Sequence, residues 1–161
     1  MEFWAPERHL CLVVFRFDEY GDHWAACPRS GRLWRRAKPV ERTWARVLRE
    51  GGAVVLENQK LAEMGIPGIR AGDERKVEIV AKNLRMKHGI KLACDATVVS
   101  PLHANGDARP RAAEVDGVAI AEAERNKRET YPELVHSSKC QLVVLAGEVG
   151  GRWSDPCSWL A

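Results

Sequence analysis

The run Ile90-Lys-Leu-Ala-Cys-Asp-Ala-Thr-Val-Val99 constrains this chain more than any other segment. It is apolar and β-branched enough to form a long strand, with Gly89 before it and Pro101 to end it. Yet it carries an acid in its middle, Asp95, among apolar neighbours, and acids are depleted in strand interiors. On a period of two, Lys91, Ala93, Asp95 and Thr97 share one face, while Leu92, Cys94, Ala96 and Val98 share the other. The strand therefore has a distinct polar face, and Asp95 reads either as a functional carboxylate or as a structural acid paired with a nearby arginine.

The elements around this strand follow from local pattern. His9 to Phe17 reads as a strand closed by the turn-prone residues from Asp18 to Asp22. Pro39 suits a first helical turn, and Val40, Trp44, Val47 and Leu48 fall on one helical face that Gly51-Gly52 terminates. Ala53 to Leu56 is a short strand. Residues 58 to 74, with Gly65, Pro67, Gly68 and Gly72, are a loop with one helical turn. Lys76 to Ala81 alternates polar and apolar as a half-buried strand does. Residues 101 to 116 form a surface loop, long enough to suggest a functional or mobile segment. Asp116 can cap a helix from Gly117 to Tyr131, ended by Pro132. Gln141 to Val149 is a further strand, and a short helix begins near Ser154. Without the first strand and the last helix the order is αβββαβ, which implies a mixed sheet covered on both faces.

Two further acids and bases stand in places that invite chemistry. Glu78, in Val77-Glu-Ile-Val80, is the acid of the neighbouring strand, or else an exposed strand acid. Ile120, Glu124, Lys127 and Tyr131 step by helical spacing, so Lys127 lies in line with an apolar residue and a tyrosine. The alternative for Lys127 is a solvent-exposed pair with Glu124 three residues away. Metal-dependent hydrolysis of a phosphodiester needs carboxylates for the cation and a positive side chain near the developing charge, which this set could supply. His23-x-x-x-Cys27 has zinc-ligand chemistry but lacks a second pair at close spacing, so zinc is not expected there. No Walker-type, dinucleotide-binding or Gly-x-Ser-x-Gly motif occurs.

Charge and length limit the setting. The 161 residues, 45% of them apolar, suffice for one domain without disulfide staples. The five cysteines are scattered with no CxxC pair, which favours buried, reduced thiols. No apolar run nears the roughly 20 residues of a membrane span, and the N-terminus lacks a signal peptide, so no membrane partner and an intracellular location are expected. The net charge is only +3, but Pro28 to Arg49 holds eight basic residues against one acid, Glu41. Such a stretch either neutralises phosphates or is a solvated helix face.

Several runs, taken together, resemble the region that follows the reverse transcriptase in non-LTR retrotransposons carrying a restriction-like endonuclease. They are Tyr20 to Cys27, Gly31 to Arg36, Arg46 to Gly52, Ala93 to Leu102, Lys127 to Leu134 and Glu148 to Ser154, and they span nearly the whole chain. No single one is specific; their order and spacing are. The resemblance implies a PD-(D/E)XK nuclease fold, with residues 1–38 leading into a restriction-endonuclease-like domain at 39–161 that belongs to a longer polyprotein. It implies Glu78 and Asp95 as metal-holding acids, Lys127 and Tyr131 closing the set, Mg²⁺ or Mn²⁺ as the cofactor, and nicking of target DNA. Arg35, Arg36 and Arg42 would then grip the nucleic acid, DNA or RNA, in the nucleus, alongside the reverse transcriptase of the parent element. The chain departs from the family pattern at Glu78, which lacks the usual proline-aspartate pair. It departs again at Thr97, where many such nucleases carry lysine, and at Arg36, where the family pair often ends in histidine. The competing expectations are an inactive nucleic-acid-binding or structural remnant of the same fold, and a zinc-stabilised interaction module.

Overall fold

The computed structural model describes residues 33–84, 89–103 and 107–160, with only the backbone described for 33–36. The expected strand at 9–17 and the His23/Cys27 pair lie outside the described residues.

Helix α1 runs from Leu33 to Glu50, strand β1 from Val54 to Lys60, and a single 3₁₀ turn from Leu61 to Glu63. Strands β2 (Lys76–Lys82) and β3 (Lys91–Val99) follow, then helix α2 (Val118–Thr130), the one-turn helix α3 (Pro132–Val135), strand β4 (Cys140–Glu148) and helix α4 (Asp155–Leu160). The sheet has the order β1-β2-β3-β4, antiparallel from β1 to β3 and parallel between β3 and β4. It is the mixed sheet flanked by helices that the element order implies.

Three local expectations need correction. Pro39 lies inside α1 and not in its first turn, because the helix already begins at Leu33. The apolar face containing Trp44, Ala45 and Leu48 outweighs the bond that the proline's missing N–H would have made. Asp116 does not cap α2: Gly117 is the N-cap, in the left-handed region at φ 74°, with no side-chain bond, and Asp116 pairs with Arg152 at 2.8 Å. The loop at 101–116 is also more anchored than its composition suggests. Arg109 donates to the Ser100 carbonyl and pairs with Glu122, and Leu102 bridges Ala108.

The two faces of the sheet bury different partners. On one, Trp44, Ala45 and Leu48 of α1 pack on Ile79, Ala81, Leu92, Cys94, Ala96, Val143 and Leu145. On the other, Val80 and Ala93 join Leu61, Met64, Ile66, Tyr131 and Leu134, while Ile120 meets Val144 and Ala146. The period-two division of β3 thus holds. Val77 breaks the alternation, since it packs with Val80 and not with Ile79, so the phase of β2 slips at Glu78. Burial pushes the Cys94 thiol up to about 12 and the Cys140 thiol up to about 11, which leaves both as neutral packing groups.

Candidate functional site

The slip at Glu78 coincides with a break in the sheet. On the β1 side, Glu57↔Ile79 and Gln59↔Val77 are paired but Asn58 and Glu78 are not, and Asn58 takes a left-handed φ of 53°. On the β3 side the ladder ends at Ile79↔Cys94, one step short of Glu78 and Asp95. Beyond that point β3 continues with β4 alone, pairing through to Val99↔Glu148. A backbone N–H released from a ladder inside the protein must find another acceptor. Ala96 N–H donates to Glu78 Oε2 at 2.8 Å, so a carboxylate replaces a strand carbonyl.

Asp95 is 1% exposed and faces α2. Lys127 Nζ stands 2.7 Å from its Oδ1, and that oxygen has no aligned hydrogen bond, so the contact is an ion pair held by charge. The neighbouring possibilities are settled by geometry. Glu124 pairs with Arg128 and not with Lys127, and Asp95 is paired by a lysine and not by an arginine. Of the expected stripe, Ile120, Lys127 and Tyr131 turn toward the sheet, while Glu124 is taken up by Arg128.

Glu78 is partly buried, not an exposed strand acid. Burial, then the charge of Asp95, pushes its carboxyl up to about 7, with Glu41 adding to the rise and the Ala96 N–H and Lys127 opposing it. Glu41 is the residue that sequence reasoning passed over, having counted it only against the basic stretch. It is 2% exposed and held by Lys38, whose Nζ reaches both carboxylate oxygens at 2.8 and 2.6 Å. Its signal was legible: Glu41, Ala45 and Leu48 fall at i, i+4 and i+7, which puts the acid on the buried stripe of α1.

Tyr131 is 6% exposed, and its hydroxyl donates to the Lys76 carbonyl at 2.9 Å. Burial, then the charge of Asp95, pushes it up to about 12, so it is a neutral donor at physiological pH. It ties the end of α2 to the start of β2 and lies beside Asp95. Arg75 strengthens the same tie. It donates to the Thr130 carbonyl, pairs with Glu133 at 2.8 Å and holds Asp73 at 2.6 Å, placing a cation at the negative end of α2. Together they seat Lys127 above β2 and β3.

The basic stretch is less free than its count suggests. Arg46 pairs with Glu50 and Arg49 with Glu57, acids just beyond the window in which the charge was counted. Arg42 is exposed and makes no ion pair among the described residues, whereas the side chains of Arg35 and Arg36 lie outside the described residues.

Among the described residues no group of three or more His, Cys, Asp and Glu side chains gathers as a metal cage. A hard cation that keeps most of its waters needs only one or two carboxylates. The buried Asp95 oxygen without an aligned donor, beside a Glu78 whose ionisation its neighbours oppose, is a donor set that a cation would favour. A cleft of about 380 Å³ lined by Ile66, Pro67, Pro132, Glu133 and His136 does not include these acids. None of the described helices is long and apolar enough to cross a membrane. No protein-family model matches the chain, and no curated protein matches it in sequence.

Proposed function

We propose that this chain is a retroelement-derived, PD-(D/E)XK-type endonuclease domain that nicks DNA with Mg²⁺ or Mn²⁺. The observation that carries the reading is the meeting of Glu78, Asp95 and Lys127 where β2 leaves β3. Two acids and one amine at a broken ladder are the groups that phosphodiester hydrolysis requires. Glu78 and Asp95 would hold the cation, which would supply charge stabilisation at the phosphate. A water oxygen forms the new bond to phosphorus, the P–O3′ bond breaks, and the leaving 3′ oxygen takes up a proton. The proton of that water would pass to solvent, from which the leaving oxygen is protonated. Lys127 can turn its ammonium toward the developing negative charge. Arg42, with Arg35 and Arg36, would contact the phosphate backbone, and the reverse transcriptase of the parent element would be the partner that extends the nicked 3′ end in the nucleus.

A remnant that binds nucleic acid without turnover is the second reading, favoured by the direct pairing of Lys127 with Asp95, which satisfies both charges without a metal. Supercoiled plasmid separates the two. The endonuclease reading expects conversion to open circles with Mg²⁺ or Mn²⁺, abolished by Asp95→Ala. Nicking that survives Asp95→Ala, or none at all with tight, salt-sensitive DNA binding, leaves the remnant.

A further inference from the structure

The Lys127–Asp95 pair is unequal. The Asp95 side chain is 2% exposed, whereas that of Lys127 is 30% exposed. The carboxylate sits in a strand interior and is almost fully covered, while the amine rides on a flexible four-carbon stem at the end of a helix. The contact is short but unaligned, and among the described residues Asp95 Oδ1 has no hydrogen bond. If the ammonium left, that oxygen would be a bare buried charge, which another cation would have to meet. Lys38 cannot take its place, because its amine is engaged by both oxygens of Glu41.

We propose that Lys127 is the resident cation of the acid site, and that a divalent metal ion binds Asp95 by displacing the Lys127 ammonium from Oδ1. This rests on the endonuclease reading above and extends it: one lysine has two seats, on Asp95 when the site is empty and toward the scissile phosphate when metal is bound. Metal affinity and turnover then respond to Lys127 in opposite directions. A lysine that only supported the fold would lower both.

The test is Mn²⁺ binding to the purified full chain at low salt, read by the electron-paramagnetic signal of free Mn²⁺, with DNA absent. Lys127→Gln should bind Mn²⁺ at least about tenfold more tightly than wild type, a change of about 1.4 kcal/mol by affinity arithmetic. Lys127→Arg should match wild type, and Asp95→Asn should bind at least about tenfold more weakly. Lys127→Gln should also lose plasmid nicking while gaining metal. Should Lys127→Gln fold poorly, wild type carries the test: acetylation of Lys127 by an amine-selective reagent, followed by peptide mass spectrometry, should rise several-fold when Mn²⁺ is added. Equal or weaker binding by a folded Lys127→Gln, with Asp95→Asn still impaired, would mean that metal enters through the other Asp95 oxygen. That result overturns the exchange and leaves the endonuclease reading standing. No Mn²⁺ binding by wild type or Lys127→Gln removes both.

Discussion

The two halves of β3 differ although they belong to one continuous strand. From Leu92 to Cys94 it is paired on both sides, to β2 and to β4, and every side chain is buried. From Asp95 to Val99 only β4 remains, and Thr97, Val98 and Val99 are half-buried. The first half is an ordinary sheet interior. The second begins with a buried acid, and the backbone group that the departing strand releases is met by a glutamate. The contrast teaches that polar side chains are buried here where the ladder stops, because there the backbone itself needs polar partners.

The sharpest way to break this contrast is to truncate one side chain in each half. Leu92→Ala, at a position with no exposure, should lower unfolding stability by about 2–5 kcal/mol in a denaturant titration, against about 1 kcal/mol or less for Thr97→Ala. Equal losses would show that the unpaired half is packed as firmly as the paired one.

Next in size is Glu78. Glu78→Ala leaves the Ala96 N–H without its acceptor and should cost about 1–3 kcal/mol, whereas Glu78→Gln keeps an acceptor oxygen and should recover most of it. The pH dependence sharpens the point. The folded chain raises Glu78 to about 7, above the ordinary glutamate value, so the folded state holds a proton that the unfolded state releases. The stabilisation is complete below the ordinary value and is lost as pH rises through about 7. Glu78→Gln should remove this decline, as pH-dependent melting curves would register.

Smaller effects are expected where α2 is tied down. Arg75→Gln should cost about 1–2 kcal/mol, since its carboxylate partners are partly solvated, and should reduce nicking without abolishing it. Tyr131→Phe removes one hydrogen bond, to the Lys76 carbonyl, and should cost about 1 kcal/mol in thermal unfolding. If either matched Asp95→Ala in its effect on nicking, these residues would belong to the chemistry and not to its scaffold.

Much of the candidate site could be read residue by residue. Asp95 was marked by its type in an apolar strand, and Lys127 by its line with Ile120 and Tyr131. Glu78 stood out as the acid of the neighbouring strand, but as a lone acid in an alternating strand it carries no local mark of burial. Glu41 was missed because its charge was weighed before its helical phase. Two arginines of the basic stretch, Arg46 and Arg49, pair with Glu50 and Glu57, acids that lie outside it and that its local charge does not count.

Sequence alone determined the order of the described strands and of the two longer helices, the two faces of β3 and the inward turn of Ile120, Lys127 and Tyr131 on α2, because each follows from a side-chain period that a few neighbouring residues set. Only the tertiary structure decided that β2 leaves β3 at Glu78, that Glu41 is buried where its charge bears on Glu78, and that Lys127 chooses Asp95 over Glu124. Those outcomes depend on which strands pair and where pairing stops. They are settled by contacts between residues far apart in the chain, whose unmet backbone groups and buried charges must be satisfied together.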